Sequence, residues 1–342
     1  MTDKPILVLK FGTASITTET GEPNVAVIAQ IAKEISSLHK DYHVVIVSSG
    51  AVGAGKSFIK DYKGELIQRK AAAAIGNLAL IGIYAKEFNK YGIQVAQSLC
   101  ERKHFADRKQ FLQLKSTYQE LWKNNIIPIA NENDVVSSRE LQFSDNDELA
   151  TIIAAGFGAE KLMICTKSGG LLDAKLKVIP VVTDIDKETM KLVDNKMSTS
   201  GLGGMASKLT FTKRATSVGI EVIVFGISEI CGILTAFEGK SGTKFLPKSG
   251  FVSVRNKWLA SGSVSTGQVI LDDGAVTAIR NRKSLLSVGV KAIKGEFQVG
   301  EFIELLNAKK ESIAVAKSKF ASVDFDKETS VLIAHADDIV LL

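Results

Sequence analysis

The chain is poor in the residues that announce metal or disulfide chemistry. Its 342 residues hold three cysteines, Cys100, Cys165 and Cys231, and four histidines. The cysteines are odd in number, far apart and without a Cys-x-x-Cys pair, so spacing argues against both a disulfide framework and a zinc site. They read as reduced thiols. Long apolar runs are also missing: the stretch 71–84 contains Gly76 and Asn77 and falls short of the ~18 residues of a membrane span, so no spanning helix is expected. The N-terminal apolar run at 6–9 ends at Lys10, too short for a signal peptide, which predicts a cytoplasmic protein. An excess of one charge is scarce as well. The net charge of +6 divides as +5 for residues 1–250 and +1 for 251–342, with no dense basic stripe. Such a mild surplus serves a phosphate-binding enzyme as well as a nucleic-acid binder.

What is present is a globular chain, with 45% hydrophobic and 23% charged residues. That balance builds a real core, and disorder is excluded. At ~150 residues per domain the length suggests two domains. Short Val- and Ile-rich runs at 6–9, 44–47, 95–99, 126–130, 162–165 and 222–225 read as strands buried on both faces. Between them, Val25, Ile28, Ala32, Ile35 and Leu38 would share one face of a helix. This alternation predicts an α/β fold with an open, largely parallel sheet sandwiched by helices. Beyond residue 242 the pattern changes to short alternating runs at 267–271, 287–290, 302–305 and 331–334, the mark of a small β-rich domain. The Gly-, Lys- and Ser-rich stretch 239–250 is the expected linker, giving domains at 1–248 and 251–342.

Two glycine patterns compete for attention. Gly50, Gly55, Lys56 and Ser57 match P-loop spacing directly after a strand, which is the context that motif requires. The following segment is a poor helix, however, and no apolar strand ending in Asp offers a Mg-holding partner. Gly201, Gly203 and Ala206 lie near dinucleotide-fingerprint spacing, but the Ser- and Thr-rich residues before them are no strand.

Strand ends carry more. Lys10 to Ser15 follow the first strand; Ser48, Ser49, Gly50 and Ala51 follow the second, at a helix start able to attract anions. Asn131 to Asp134 follow the fourth, and Ser144 to Asp147 open the next helix. In a parallel sheet these loops converge on the carboxyl edge, where open α/β sheets bind ligands. Each segment alone could be a cap or a solvated edge; their joint placement points to a site.

Taken together, Lys10 to Thr13, Ser48 to Val52, Ala71 to Gly76, Asn131 to Asp134, Asp145 to Asp147, Gly203 to Met205 and Lys208 resemble the glutamate 5-kinases of the amino-acid kinase superfamily. The tail, with Lys257, Trp258, Asp273 to Ala275, Ser284 to Leu286, Gly289 and Val290, resembles the PUA domain many of them carry. The resemblance implies transfer of the γ-phosphoryl group of ATP to the side-chain carboxylate of L-glutamate. Lys10 and Lys208 would be phosphate-clamping lysines, with Asp147 orienting them. Ser49, Gly50, Asp134 and Asn146 would hold glutamate, and Thr166, Lys167, Leu202, Gly203, Gly204 and Met205 would join the lysines around the nucleotide. No protein metal ligand is implied, Mg²⁺ entering through the ATP phosphates. A homo-oligomer, proline as feedback inhibitor and glutamate-5-phosphate reductase as a partner are implied as well.

Three positions depart from the family pattern: Lys167 stands where Asp is usual, Leu202 replaces a Thr, and Ser144 replaces a Gly. Two other readings therefore stay open. One is a P-loop ATPase or nucleotide kinase using Gly50 to Ser57. The other is a catalytically weak paralogue with an RNA-binding or regulatory role, since PUA domains elsewhere bind RNA. A tail balance of +1 offers phosphate little long-range attraction, so weak RNA binding and packing against the kinase part are expected of it.

Overall fold

The computed structural model describes residues 4–136, 145–194, 204–227, 232–248, 265–325 and 330–341. Its larger part is built on strands β1 (Ile6–Phe11), β2 (His43–Ser48), β3 (Gln94–Cys100), β4 (Ile126–Glu132), β5 (Lys161–Cys165), β6 (Val181–Val182), β7 (Glu221–Phe225) and β8 (Thr243–Phe245). They form one sheet in the order β3-β4-β2-β1-β5-β7-β8-β6. β3 to β7 along that row are parallel, with Val8 of β1 opposite Val45 of β2 and Leu162 of β5. The helices are α1 (Thr13–Ile16), α2 (Val25–Leu38), α3 (Ala51–Gly55), α4 (Leu66–Asn89), α5 (Arg102–Ala106), α6 (Arg108–Lys123), α7 (Asn146–Phe157), α8 (Lys187–Asp194), α9 (Met205–Ser217) and α10 (Gly232–Phe237).

Alternation along the strands explains the sandwich. Leu7, Leu9 and Phe11 face α2 and α4, packing with Ile28, Ile31, Tyr84 and Phe88. Val8, Val45 and Val47 face the other layer, with Tyr118, Trp122, Ile152 and Leu209. Both faces of the central strands are thus dry, the state their continuous Val/Ile runs predict. β3 differs: only Cys100 in it is buried, because the outermost place in the sheet leaves it a single neighbour. Val25 also departs from its expected face and is 49% exposed. It opens α2 just after the Asn24 cap, whose side chain accepts from Val27 N–H, and the buried stripe starts at Ile28.

The expected linker is not free chain throughout. Within 239–250, β8 runs antiparallel to β7 and parallel to β6, extending the sheet of the larger part. Its buried Thr243 hydroxyl accepts from Leu171 N–H. The flanking glycines disguised a three-residue strand.

The P-loop spacing is also absorbed by the fold. Gly50, at φ +102°, turns the chain out of β2, after which 51–55 is helix and Lys56–Phe58 a 3₁₀ turn, with no loop to cradle a phosphate. The glycines serve close packing. A Cβ on Gly55 would lie 1.9 Å from Ala72 O, and one on Gly76 would lie 1.7 Å from Ala51 O. α3 and α4 therefore touch backbone to backbone. α4 is longer than the apolar stretch that signalled it. By length and composition alone its 24 residues would suffice to cross a membrane, a departure from expectation, yet its inner face buries Tyr84 and Phe88 in the sheet core.

The tail comprises β9 (Ser265–Leu271), α11 (Asp273–Arg280), β10 (Leu285–Leu286), β11 (Val290–Lys294), β12 (Phe302–Leu306), β13 (Ser312–Lys317), β14 (Leu332–Ala334) and β15 (Ile339–Leu341). Five strands form the sheet β11-β9-β12-β13-β15, and β10 pairs with β14. The strand expected at 287–290 is instead a 3₁₀ turn over Ser287–Gly289, with β11 starting at Val290. A Cβ on Gly289 would meet Ala275 at 2.5 Å, so α11 leaves room only for this tight turn. Phe302, Val315 and Val340 join the same buried cluster as Leu209 and Ala215 of α9. Arg214 Nη2 contacts Glu304 at 2.9 Å. The tail does pack on the larger part.

Two substitutions on one helix separate packing glycines from tolerant ones. Gly76→Ala is expected to lower the thermal midpoint by roughly 5–10 °C. Gly82→Ala, whose Cβ meets nothing within 4 Å, should leave it unchanged or raise it, by at most ~1 kcal/mol of stability. Equal midpoints in a calorimetric scan would contradict the packing account.

Candidate active site

The carboxyl ends of β1, β2, β4 and β5 bring four loops together. Lys10 lies near the end of β1, opposite Val47 and Ile164. Asp145 caps α7: one carboxylate oxygen accepts from Asp147 N–H at 2.9 Å and Glu148 N–H at 3.1 Å. Its other oxygen accepts from the Ser207 hydroxyl at 2.9 Å, tying the start of α9 to that of α7. Asp147, fully buried, then sits between two ammonium groups. Lys10 Nζ is 2.6 Å from Oδ1, and Lys208 Nζ donates to Oδ2 at 2.9 Å. The lysines are themselves only 5% and 8% exposed.

Burial works against the charged form of Asp147, but Lys10 and Lys208 outweigh it and hold its pKa below the usual carboxylate value. Two cations on one anion leave a surplus positive charge at the sheet edge. Next to them, the first turn of α9 begins at Gly204 with no side-chain cap, so its leading N–H groups add to the attraction for anions.

A second group lies on the β2 and β4 side. Asn146 Nδ2 donates to Ser49 Oγ at 2.7 Å and to Asn131 Oδ1 at 2.9 Å. Gly50 follows with its left-handed backbone. Asp134 stands in the turn after β4; burial raises its pKa and the Arg69 charge opposes that rise. Thr166 and Lys167 leave β5 at the same edge. Thr166 N–H donates to Phe225 O at 2.7 Å, and Lys167 is exposed. Cys165, just before them, lies within electrostatic reach of both Lys10 and Lys208. Met205 packs against the main core cluster. Leu202, Gly203 and Ser144 lie outside the described residues.

The structure thus joins Lys10, Asp147 and Lys208 in one cluster and Ser49 with Asn146 in another. Sequence reading placed Asn131 at the edge without giving it a role and passed over Ser207; the two hold these clusters together. Asn131 was visible as the first residue of the Asn-Glu-Asn-Asp run, whereas nothing in the sequence marks Ser207. It also missed Arg102, whose guanidinium contacts buried Glu148 at 2.6 Å and ties α5 to the start of α7.

With this geometry, likeness to known proteins becomes informative. The sequence profile of the amino acid kinase family matches residues 5–226. The chain belongs to the amino acid kinase family. The PUA domain profile matches residues 267–329. A glutamate 5-kinase of Aliivibrio fischeri is 34% identical over 99% of this chain and 94% of its own length. One from Moorella thermoacetica is 36% identical over 90% and 84%. Among solved structures, a Giardia carbamate kinase superposes with a TM-score of 0.53 at 17% identity, over 72% of this chain and 99% of its own. At that identity the likeness concerns the fold, and it covers the larger part of this amino acid kinase.

Among the described residues no group of three or more His, Cys, Asp or Glu side chains could hold an ion, and both Asp147 oxygens already face lysines.

Removing the central carboxylate tests how much depends on it. Asp147→Asn leaves two buried ammonium groups facing each other and should cost ~3 kcal/mol at neutral pH, read from denaturant unfolding. Because the folded pKa of Asp147 is lowered from 3.8, its stabilisation is complete above that value and lost as pH falls through the folded pKa. The gap between wild type and variant should therefore close in acid. A gap independent of pH would show that the charge is not what stabilises.

Proposed function

We propose that this kinase transfers the γ-phosphoryl group of ATP to the side-chain carboxylate of L-glutamate, giving L-glutamate 5-phosphate, the first step of proline biosynthesis. The observation that carries the proposal is the pair of buried lysines held on Asp147 at the sheet edge. Full-length similarity to glutamate 5-kinases supports the choice of substrate.

The chemistry suits the residues. A carboxylate with a pKa near ~4.3 is already ionised at neutral pH, so no general base is needed. One of its oxygens forms a bond to the γ-phosphorus while the bond from that phosphorus to the β–γ bridging oxygen breaks, and ADP leaves with the electron pair. The barrier is repulsion between two anions, which fixed positive charge lowers. Each ammonium has three donors; contact with Asp147 leaves others for phosphate oxygens, and the anchor keeps the lysines aimed. Lys10 and Lys208 hold the transferring group. Gly204 and Met205 offer it the start of α9, and Thr166, Lys167, Leu202 and Gly203 are the other nucleotide-side residues of this reading. Ser49, Gly50, Asp134 and Asn146 hold glutamate, with Asp134 toward its ammonium group. Mg²⁺ fits as a companion of the ATP phosphates, neutralising their charge.

The kinase domain of this proposal spans 1–248, since β8 belongs to its sheet, and the PUA domain 251–342. Cytoplasmic location is supported by Cys100 and Cys165, which are free thiols, as a reducing compartment keeps them. Assembly of like copies is supported by α4, whose outer side exposes Ile67 and Leu78 at 73% and 75%. Feedback by proline and hand-over of the acyl phosphate to glutamate-5-phosphate reductase belong to the same reading.

Steady-state kinetics test the assignment. Lys10→Ala and Lys208→Ala should each lower turnover by ~10²-fold or more, while Lys56→Ala, in the glycine-packed segment, should stay close to wild type. Asp134→Asn should raise the glutamate KM more than the ATP KM. Loss of nucleotide binding in Lys56→Ala with activity kept in Lys208→Ala would overturn the reading.

A further inference from the structure

The buried middle of α4, at Asn77, reaches the amino-acid side of the site through a chain of three amides. Its direction follows from one group that can only donate. The backbone N–H of Glu132 donates to Asn131 Oδ1 at 2.9 Å, so the amide nitrogen of Asn131 must face the other way. It faces α4, where it donates to Asn77 Oδ1 at 3.0 Å. Asn146, bonded to the same Asn131 oxygen, must in turn donate with its nitrogen, and the Ser49 hydroxyl receives from that nitrogen too. Among the described residues, Asn146 Oδ1 is left as a buried acceptor without a hydrogen-bond partner. An amide oxygen in that position suits a cationic donor and repels a carboxylate.

The far end of the chain is equally constrained. Asn77 is 6% exposed, as is Asn131. Its Nδ2 has no hydrogen-bond partner among the described residues, and Asn77 lines, with Ser48, Tyr84, Gln97 and Asn131, a cavity of about 10 Å³. That volume suits one water molecule, for which the Ser48 and Tyr84 hydroxyls are further partners. The neighbouring Gly76 locks this turn of α4 against Ala51 O, so the Asn77 backbone is held in register with the Ser49 loop.

We infer that Asn77 is a positioning residue for the amino-acid subsite: by receiving the Asn131 nitrogen it holds in place the amide whose polarity Glu132 N–H sets, and so steadies the Asn77–Asn131–Asn146 chain, which presents Asn146 Oδ1 to the α-ammonium group of the substrate. The inference rests on glutamate being that substrate. It assigns specificity to a side chain that does not touch the ligand. With Asn77 removed, Asn131 keeps its oxygen on Glu132 N–H but loses the partner that holds its nitrogen, so the amide is free to tilt and Asn146 is held less firmly in turn.

Glutarate, which is glutamate without the ammonium group, is the discriminating probe. In the full-length enzyme, the glutamate KM, the ATP KM and the inhibition constant of glutarate against glutamate are measured for wild type, Asn77→Leu and Asn77→Asp. Asn77→Leu keeps the size of the side chain but not the acceptor. It should raise the glutamate KM by about 10-fold with the glutarate constant and ATP KM within about twofold of wild type. Asn77→Asp retains an oxygen toward Asn131 and should restore the glutamate KM. Should Asn77→Leu not fold, Asn77→Ala is carried through the same measurements, without added bulk. Equal weakening of glutamate and glutarate, or an unchanged glutamate KM in the folded variant, overturns the inference. Absence of glutamate-dependent phosphorylation in the wild type would instead overturn the substrate reading beneath it.

Discussion

A buried carboxylate held between two lysines is the constraint on which the site depends. Asp147 lies at the start of α7, Lys10 on β1 and Lys208 on α9, so the ion cluster joins three elements far apart in the chain. Taking any one of these charges out of water alone would cost several kcal/mol, and only the closed arrangement offsets that cost. Asp145 reinforces it by capping α7 and receiving Ser207 from α9. In the function proposed, lysines already gathered and oriented on Asp147 would need little rearrangement when an anion arrives, which is where electrostatic catalysis draws its advantage.

Much of this was legible before the structure because parallel sheets have simple rules. Continuous Val/Ile runs marked the six principal parallel strands, and chain direction placed Lys10, Ser49, Asn131 and Asp147 at one edge. Glycine misled. Gly50 and Gly55 look like phosphate chemistry in one dimension, but in three Gly55, together with Gly76, lets α3 and α4 approach within backbone contact. β8 stayed hidden among flexible-looking residues because its stability comes from its neighbours β7 and β6, not from its own composition. The amide chain through Asn77 and Asn131 could not be read at all, since hydrogen-bond polarity depends on which backbone N–H each side chain meets.

The tail enters this picture through α9. Lys208 lies on the first turn of that helix, while Arg214, farther along it, pairs with Glu304 of β12, which also receives Gln268. Phe302, Val315 and Val340 extend the kinase core beneath the same helix. Charge counting predicted a tail with little pull on nucleic acid; the structure adds that its buried contacts face the helix carrying Lys208. Packing of this kind fixes the helix axis along its length, so the two ends of α9 are held by different domains.

The account's central claim is that the Lys10–Asp147–Lys208 cluster serves phosphoryl transfer to a carboxylate. Trapping the acyl phosphate with hydroxylamine, with ATP and Mg²⁺ present and glutamate, aspartate and N-acetylglutamate offered separately, tests it most directly. The account predicts a hydroxamate that depends on glutamate and is at background level with the other two acids. No glutamate-dependent hydroxamate with any nucleotide would contradict it.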